Sequence, residues 1–559
     1  MIKPQRLAGR SVRWVLSAAA SRRAVQWPLV GGLWAAALSA RVFPDKLRRE
    51  LGDKVHSGLV AAGRVTPAAR VSGAMSRHTK DGGAGADVHL RQVTAEIALG
   101  TPTGLEAAVK RQLDRADAAY AKGDLRRAAA SIQTVGKTLF DRRLHFDRLT
   151  SPLADDPEAF LRAWRQSAAV QAMAAPRGRR EPAAANPSDR PVRLLMATYG
   201  NHGFIELIRR HFAEAENVEL RFIDPTGNDD EVALMGGQLA MIEHALGGQQ
   251  AYAEKVADWL QPHIDWADVV FIDWCAALAT LFSMIDPGST RIIVRLHSFE
   301  AFSLWPHLVD FSRVDDLVFV SDHLRDLAVA AVPGMIANGT RLHVVTNAMD
   351  LRGFYRDKKP DARFTLGVVG IKAVAKDPRW AVEVLRHLRR HDDRYRLVFY
   401  GTDLNADATP DTRRYWDQFL ADIRDLERAG AVVRTGHVAD MPSALVDVGV
   451  VLSSSVRESF HCGLVEGAAS GAIPIVRDWP FFAGRPASAA SLFPDNWVVR
   501  SPHEAADRII GATNSDAQMQ ATGSAAAEHA ISTWDWQIVK HDFDKLILGE
   551  DSVAGGNFQ

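Results

Sequence analysis

From residue 192 onward, short apolar runs alternate with amphipathic stretches. VRLLMA at 192–197 has the length and make-up of a buried strand. It is followed by Tyr199-Gly200-Asn201-His202-Gly203 and then by a helical pattern over 204–212, so strand, glycine loop and helix are expected in that order. Further strands are expected at 218–223, 269–272, 292–296, 317–320 and 342–345, with helical stretches between most of them. The pattern then restarts, with strands at 365–369, 396–400, 431–434 and 448–452 and helices at 379–390 and 416–429. Alternation of this kind implies parallel sheets covered by helices. Two such series in tandem predict an α/β fold of two Rossmann-like doubly wound domains, with a ligand cleft between the carboxyl ends of their strands.

The chain before residue 191 has a different texture. Alanine-rich helical patterns over 105–121 and 125–140 flank Lys122-Gly123-Asp124, which predicts an αα-hairpin. It resembles one tetratricopeptide unit, but a solenoid needs about three repeats and no second copy is present, so a helical extension is expected. Residues 174–190 (AAPRGRREPAAANPSDR) combine Pro, Gly and charge without apolar period and suit a linker. The expected organisation is a basic, mainly helical extension over 1–173, the linker over 174–190, a first Rossmann-like, acceptor-side domain over 191–356, a donor-binding domain over 357–532, and a terminal helix over 533–548.

Composition adds constraints. Lys+Arg and Asp+Glu both number 67, so no global field directs the chain to nucleic acid. Residues 1–70 carry 13 Lys or Arg against Asp45, Glu50 and Asp53. The same segment holds Arg10, Arg13, Trp14, Arg22, Arg23, Trp27 and Trp34, a mix that suits peripheral contact with an anionic membrane face as well as a solvated basic extension. The apolar stretch over 25–40 is broken by Pro28, Gly31 and Gly32 and is shorter than the roughly 20 residues that span a bilayer. With only Cys275 and Cys462, neither a disulfide framework nor a zinc site is expected, which fits a reducing compartment; a cytoplasmic protein is expected, peripheral on the inner membrane face if the basic segment binds lipid.

The most informative stretch is SSSVRESFHCGLVEGAASGAIPIV at 453–476. It leaves a strand, passes a polar turn, enters a helix near His461 and continues into a strand at 473–476. The small residues Gly467, Ala468, Ala469 and Gly471 permit close packing of that helix. The amides of residues 460–464, among them Phe460, Gly463 and Leu464, would sit at the helix N-terminus, where unpaired donors and the dipole favour an anion such as a diphosphate. Glu458 precedes this end and Glu466 lies about one turn inside it at a rise of roughly 1.5 Å per residue. Two carboxylates bracketing a phosphate site suit a nucleotide sugar, whose sugar and ribose present paired hydroxyl donors.

Glu458-Ser459-Phe460 followed by Glu466 resembles the E-x7-E signature of retaining glycosyltransferases of the GT-B fold, specifically glycosyltransferase family 4, and the resemblance covers about residues 192–546. It implies that Glu458 contacts the donor sugar near the reacting carbon and that Glu466 binds the ribose. The glycine usual after Phe is His461 here. The family's Gly-Arg-x4-Lys segment, whose cations hold the diphosphate, is matched by Gly370-Ile371-Lys372-Ala373-Val374-Ala375-Lys376. Lys376 fits, Ile371 replaces the arginine, and Lys372 stands in only as a point charge. His297, within Arg295-Leu296-His297-Ser298-Phe299-Glu300 at a strand end, resembles a histidine near the anomeric region and the acceptor. Gly200 to Gly203 resembles a loop near the donor phosphates, Asn347-Ala348-Met349-Asp350 the segment leading to the second domain, and Thr533-Trp534-Asp535-Trp536 the start of the helix that crosses back.

The resemblance thus assigns Glu458, His297 and Lys376 to catalysis and Glu466, Lys372, Phe460, Gly463, Leu464 and Gly203 to the donor. It implies no metal and no cofactor, with a nucleotide-diphosphate sugar as co-substrate and a glycan or lipid-linked acceptor. Asp229-Asp230 and Asp392-Asp393 sit in polar loops and are expected to be solvated. Two rivals share the fold: an epimerase acting on the nucleotide sugar alone, and a catalytically silent scaffold.

Overall fold

The computed structural model describes residues 30–39, 45–61, 64–76, 83–99, 102–336 and 339–549. Arg10, Arg13, Trp14, Arg22, Arg23 and Trp27 lie outside these residues. Contacts divide the chain into two units. One takes residues up to 144 with 162–170 and 406–414, and the other takes 145–161, 171–405 and everything from 415.

The first unit includes α1 (Val30–Ser39), α2 (Asp45–Ala61), α3 (Val65–Ser76), α4 (Gly83–Leu99), α5 (Leu105–Tyr120) and α6 (Leu125–Leu139), besides shorter helical turns. The αα-hairpin forms as the pattern predicts. Gly123 turns the chain at φ +73°, and Asp124 caps α6 by accepting from the Arg127 amide at 3.3 Å. A small core joins Trp34, Leu38, Leu51, Val55, Leu59, Val71 and Met75. Trp34 is only 8% exposed, so this indole is a core residue and not the interfacial aromatic that its sequence neighbourhood suggested. No helix among the described residues is long and apolar enough to cross a membrane.

The second unit carries two six-stranded parallel sheets. The first is built from β1 (Val192–Ala197), β2 (Val218–Ile223), β3 (Val269–Asp273), β4 (Arg291–Leu296), β5 (Asp316–Phe319) and β6 (Arg341–Val344), in the order β2-β1-β3-β4-β5-β6. The second is built from β7 (Thr365–Val369), β8 (Arg396–Tyr400), β9 (Val432–Gly436), β10 (Val450–Ser453), β11 (Ile473–Arg477) and β12 (Val498–Val499), in the order β12-β11-β10-β7-β8-β9. Central strands such as β3 and β10 are buried along their whole length, as parallel strands covered on both faces must be. The fold is therefore α/β with two tandem Rossmann-like domains. Only β12, two residues long, gave no period to read.

Residues 174–190 contain no helix or strand, yet they are bound down rather than free. The Arg179 guanidinium donates to both oxygens of Asp315 at 2.6 and 2.7 Å and to the carbonyls of Gly288 and Thr290, and Asn186 donates to the carbonyls of Ile547 and Leu548.

Around the site the elements are α7 (Glu206–Glu214), α8 (Asp322–Ala331), α9 (Pro378–His391), α10 (Cys462–Ala469), α11 (Pro502–Ala512), α12 (Asp516–Trp534) and α13 (Trp536–Leu548). Helix α10 lies very close to its sheet. A Cβ on Gly463 would come within 2.7 Å of the Val369 side chain, and one on Gly467 within 2.5 Å of Val451. The small residues thus set the height of α10 above β7 and β10. Asp535 breaks α12 from α13, caps α13 through the Gln537 amide and accepts from the Leu351 amide at 3.0 Å, which fixes the segment joining the domains. Trp536, Val539, Phe543, Leu546 and Ile547 of α13 then pack into the core of the first sheet with Leu194, Phe271 and Ile293.

Candidate active site

The turn between β10 and α10 places Glu458 against the loop that follows β7. Lys376 Nζ donates to Glu458 Oε1 at 2.6 Å, and Ser455 Oγ donates to the same oxygen at 2.6 Å. The backbone holds the two loops in register, with the Val456 amide donating to the Ala375 carbonyl at 2.8 Å and Ser454 Oγ to the Lys376 carbonyl at 2.6 Å. Burial would raise the Glu458 pKa, but Lys376, His461 and the Ser455 hydroxyl outweigh it and pull it down to about 2. Glu458 is therefore ionised at any physiological pH.

His461 stands immediately before α10 at φ +73°, the left-handed region that glycine enters without strain and histidine enters less readily. This position is thus one that favours glycine for its backbone. His461 is 7% exposed, its Nε2 is 4.0 Å from Glu458 Oε1, and neither ring nitrogen makes a hydrogen bond of ordinary geometry. Burial, with opposing help from Glu458, lowers its pKa to about 4, so the ring is neutral.

The end of α10 is open in part. The amides of Cys462 and Gly463 make no hydrogen bond among the described residues, whereas the Leu464 amide donates to the His461 carbonyl at 3.0 Å. Leu464 therefore does not offer a free donor, and the anion-facing amides are those of Cys462 and Gly463. Phe460 is fully buried with its ring 5.9 Å from Trp534, so its side chain belongs to the core. Glu466, in α10, has no hydrogen-bond donor among the described residues, and burial raises its pKa. A half-buried carboxylate without a donor suits one that accepts from a ligand.

Other expected residues are placed differently. Ile371 is 1% exposed and turned into the core, while Lys372 is exposed and pairs with no carboxylate among the described residues. Lys376 is thus the cation held at Glu458. Gly203 is exposed and a Cβ there would meet only Asn201 Oδ1 at 3.8 Å, so space does not require glycine at that position. Gly200, at φ +66° and with Thr226 3.0 Å from where a Cβ would stand, is the constrained glycine of that loop, which His202 pins through Asp224 Oδ2 at 2.6 Å.

His297 ends β4 packed between Phe204 and Trp274, ring centroids at 5.1 and 4.2 Å, and its Nε2 donates to Asp273 Oδ1 at 3.0 Å. Burial lowers its pKa, with Asp273 opposing, so the ring is a neutral donor already engaged. Beneath it Arg295 is fully buried and donates to the carbonyl of Phe204 and, at 3.0 Å, to Asn347 Oδ1. Asn347 in turn lies 3.5 Å from Cys462 Sγ, which links the first sheet to the first residue of α10.

Glu300 completes this cluster. Its Oε1 accepts from the amides of Cys275 at 3.0 Å and His297 at 3.3 Å, yet burial pushes its pKa up to about 8. Its ordinary value is 4.5, so the folded state binds a proton that the unfolded state releases between pH 4.5 and 8. The folded form is favoured below that window and loses stability as pH rises through it. Glu300→Gln keeps the acceptor and removes the ionisation, so it should raise stability at pH 8 by about 1–3 kcal/mol and flatten the fall in Tm from pH 5 to 8. A parallel fall in both proteins would show that Glu300 ionises freely in the fold.

Sequence reasoning did not find His323 or Arg457. His323 Nε2, on α8 of the first domain, donates to the Glu458 carbonyl at 2.9 Å, its ring packed on Phe482 at 4.6 Å. A histidine in an amphipathic helix gives no signal of such a contact.

No protein-family model matches the sequence, and no curated protein sequence matches it. Among solved structures, the chain is similar to Anabaena HepE in complex with UDP and glucose, at 15% identity over 64% of this chain and 99% of that one, TM-score 0.47. It is similar to a UDP-forming α,α-trehalose-phosphate synthase from Burkholderia xenovorans, at 12% identity over 63% and 98%, TM-score 0.48. It is also similar to TarM, at 15% identity and TM-score 0.42, where it spans 58% of that chain. At these values no residue role is transferred from them.

Proposed function

We propose that the chain is a glycosyltransferase that moves a sugar from a nucleotide-diphosphate donor to an acceptor hydroxyl with retention of anomeric configuration. The observation that carries this reading is the junction of Lys376 Nζ with Glu458 Oε1 at 2.6 Å beside the open amides of Cys462 and Gly463, with the undonated Glu466 further along the same helix. In this reading the diphosphate sits at the α10 N-terminus, where helix dipole and Lys376 stabilise the charge that builds as it leaves. An ammonium has three donors, so Lys376 can keep Glu458 and still bind phosphate oxygens. Glu458 orients the donor sugar by accepting from its hydroxyls, and Glu466 accepts from the ribose. Departure is on the front face, with the leaving phosphate taking the acceptor's proton, and no side chain attacks the sugar. His297, donating to Asp273, shapes the first-domain wall of the cleft.

The acceptor in this reading is a glycan or a lipid-linked glycan of the cell envelope, capsule or glycolipid class, reached from an anionic membrane face through the basic residues before 71. Titration calorimetry with UDP-, GDP- and ADP-sugars tests the donor half. One of them should bind, and Glu466→Gln should weaken it by about tenfold. Binding of none would remove the reading. Free nucleotide released only when an acceptor is added separates transfer from epimerisation.

A further inference from the structure

Arg457 directly precedes Glu458 but serves neither Lys376 nor the helix. Its guanidinium lies over two rings, 4.5 Å from the Phe146 centroid and 4.8 Å from that of Phe302. The two rings meet at 72°, and Phe299, 51% exposed, packs 5.8 Å from Phe146. Arg457 itself is 8% exposed, and its Nε is buried without a partner. A guanidinium has five N–H donors, which ring faces do not satisfy, and burying one without acceptors is costly.

Other arginines of this unit that are buried or half-buried find acceptors: Arg295, whose Nε is also unpartnered, donates to Phe204 and Asn347, Arg179 to Asp315 and two carbonyls, and Arg313 to the carbonyls of Gly178, Ser283 and Met284. Arg457 has no such acceptor among the described residues. Burial lowers its pKa to about 10, Glu458 opposing, so it stays cationic at neutral pH.

We propose that Arg457, framed by Phe146, Phe299 and Phe302, is a subsite for an oxyanion of the acceptor, a phosphate or a carboxylate, held by the open edge of the guanidinium. This rests on the glycosyltransferase reading for the word acceptor. Phe299 and Phe302 follow β4 in the first domain and Phe146 comes from the chain before the linker, whereas the donor groups Lys376, Glu466 and the α10 amides all belong to the second domain. A fork of N–H groups stacked on aromatic rings is pre-organised for two-pronged binding of phosphate or carboxylate. The exposed face of Phe299 offers an apolar platform for the rest of such an acceptor.

The test uses the full chain, with methyl phosphate as the acceptor-like probe and the nucleoside diphosphate of the preferred donor as the second ligand, both by calorimetry. Arg457→Met, which fills the slot without charge, should weaken methyl phosphate by about tenfold or more, as expected for charged hydrogen bonds. Nucleotide affinity should stay within about twofold, and Arg457→Lys should fall between, since it keeps the charge without the fork. Melting curves of both variants check the fold. Methyl phosphate binding unchanged in a folded Arg457→Met, no binding to the wild type, or binding that falls with Lys376→Met instead, overturns the proposal. Equal loss of nucleotide in Arg457→Met also overturns it, since the anion would then be the donor's. Arg457-dependent methyl phosphate binding in a chain that binds no nucleotide would support the anion site and remove the donor reading.

Discussion

Replacing Glu458 with Gln, or Lys376 with Met, is expected to lower sugar transfer by about 10²–10³-fold while the far-ultraviolet circular dichroism is unchanged. The two groups form one hydrogen-bonded pair at 2.6 Å. Removing either leaves the other misplaced, so the double variant should lose little more than the worse single one. Lys376→Met should also weaken nucleotide-diphosphate binding, whereas Glu458→Gln should spare the nucleotide and act on the sugar. The pair has a stability signature too. The Glu458 pKa is held near 2 against an ordinary 4.5, so its contribution is complete above pH 4.5 and is lost as pH falls through about 2. That contribution is of order 1–3 kcal/mol, and Glu458→Gln should remove it together with its part of the acid slope. Near-normal turnover in both single variants, or two losses that multiply in the double variant, would dissolve the site.

The central strands were legible because parallel strands buried on both faces are nearly continuous apolar runs, and β1 and β7 begin and end where the runs do. Glu458, Glu466 and Lys376 were singled out by their place around a strand–turn–helix stretch and by the resemblance to the E-x7-E and Gly-Arg-x4-Lys segments, and the structure brings Glu458 and Lys376 together at 2.6 Å. Two kinds of feature were not. The pairing of Lys376 with Glu458 joins residues far apart in sequence, and no local pattern encodes it. The occupancy of an amide is equally hidden, as with Leu464, which the His461 carbonyl takes within a tight first turn. His461 shows the reverse case. It stands where the resembled motif has glycine, and its φ of +73° adds a backbone requirement that composition does not display. Residues 174–190 contain no helix or strand, as a linker would, but their anchoring through Arg179 and Asp315 joins residues far apart in sequence and has no local signal.

Gly523→Ala should unfold the second domain more readily than any other single methyl addition in helix α12. Gly523 faces the turn after α10, and a Cβ there would sit 2.0 Å from the Gly471 carbonyl oxygen and 2.9 Å from its carbon. Both are backbone atoms, and Gly471 is itself fixed at φ +83°, so no side chain can swing aside. Helix α12 must move away, and it ends at Trp534 directly before Asp535, which caps α13 and binds the Leu351 amide. A displacement there reaches the α13 residues in the first-sheet core and the seat of α10 that carries Glu466. Overpacking against backbone costs about 2–4 kcal/mol, which for domains of this size lowers Tm by roughly 5–15 °C. The control is Gly511→Ala in α11, where a Cβ meets nothing within 4 Å. Alanine in a helix without obstruction should stabilise by about 0.4–1 kcal/mol. If both variants gain stability in thermal melts, α12 has room at Gly471, and the close seating of α10 between its sheet and α12 is not what holds Glu466 in place.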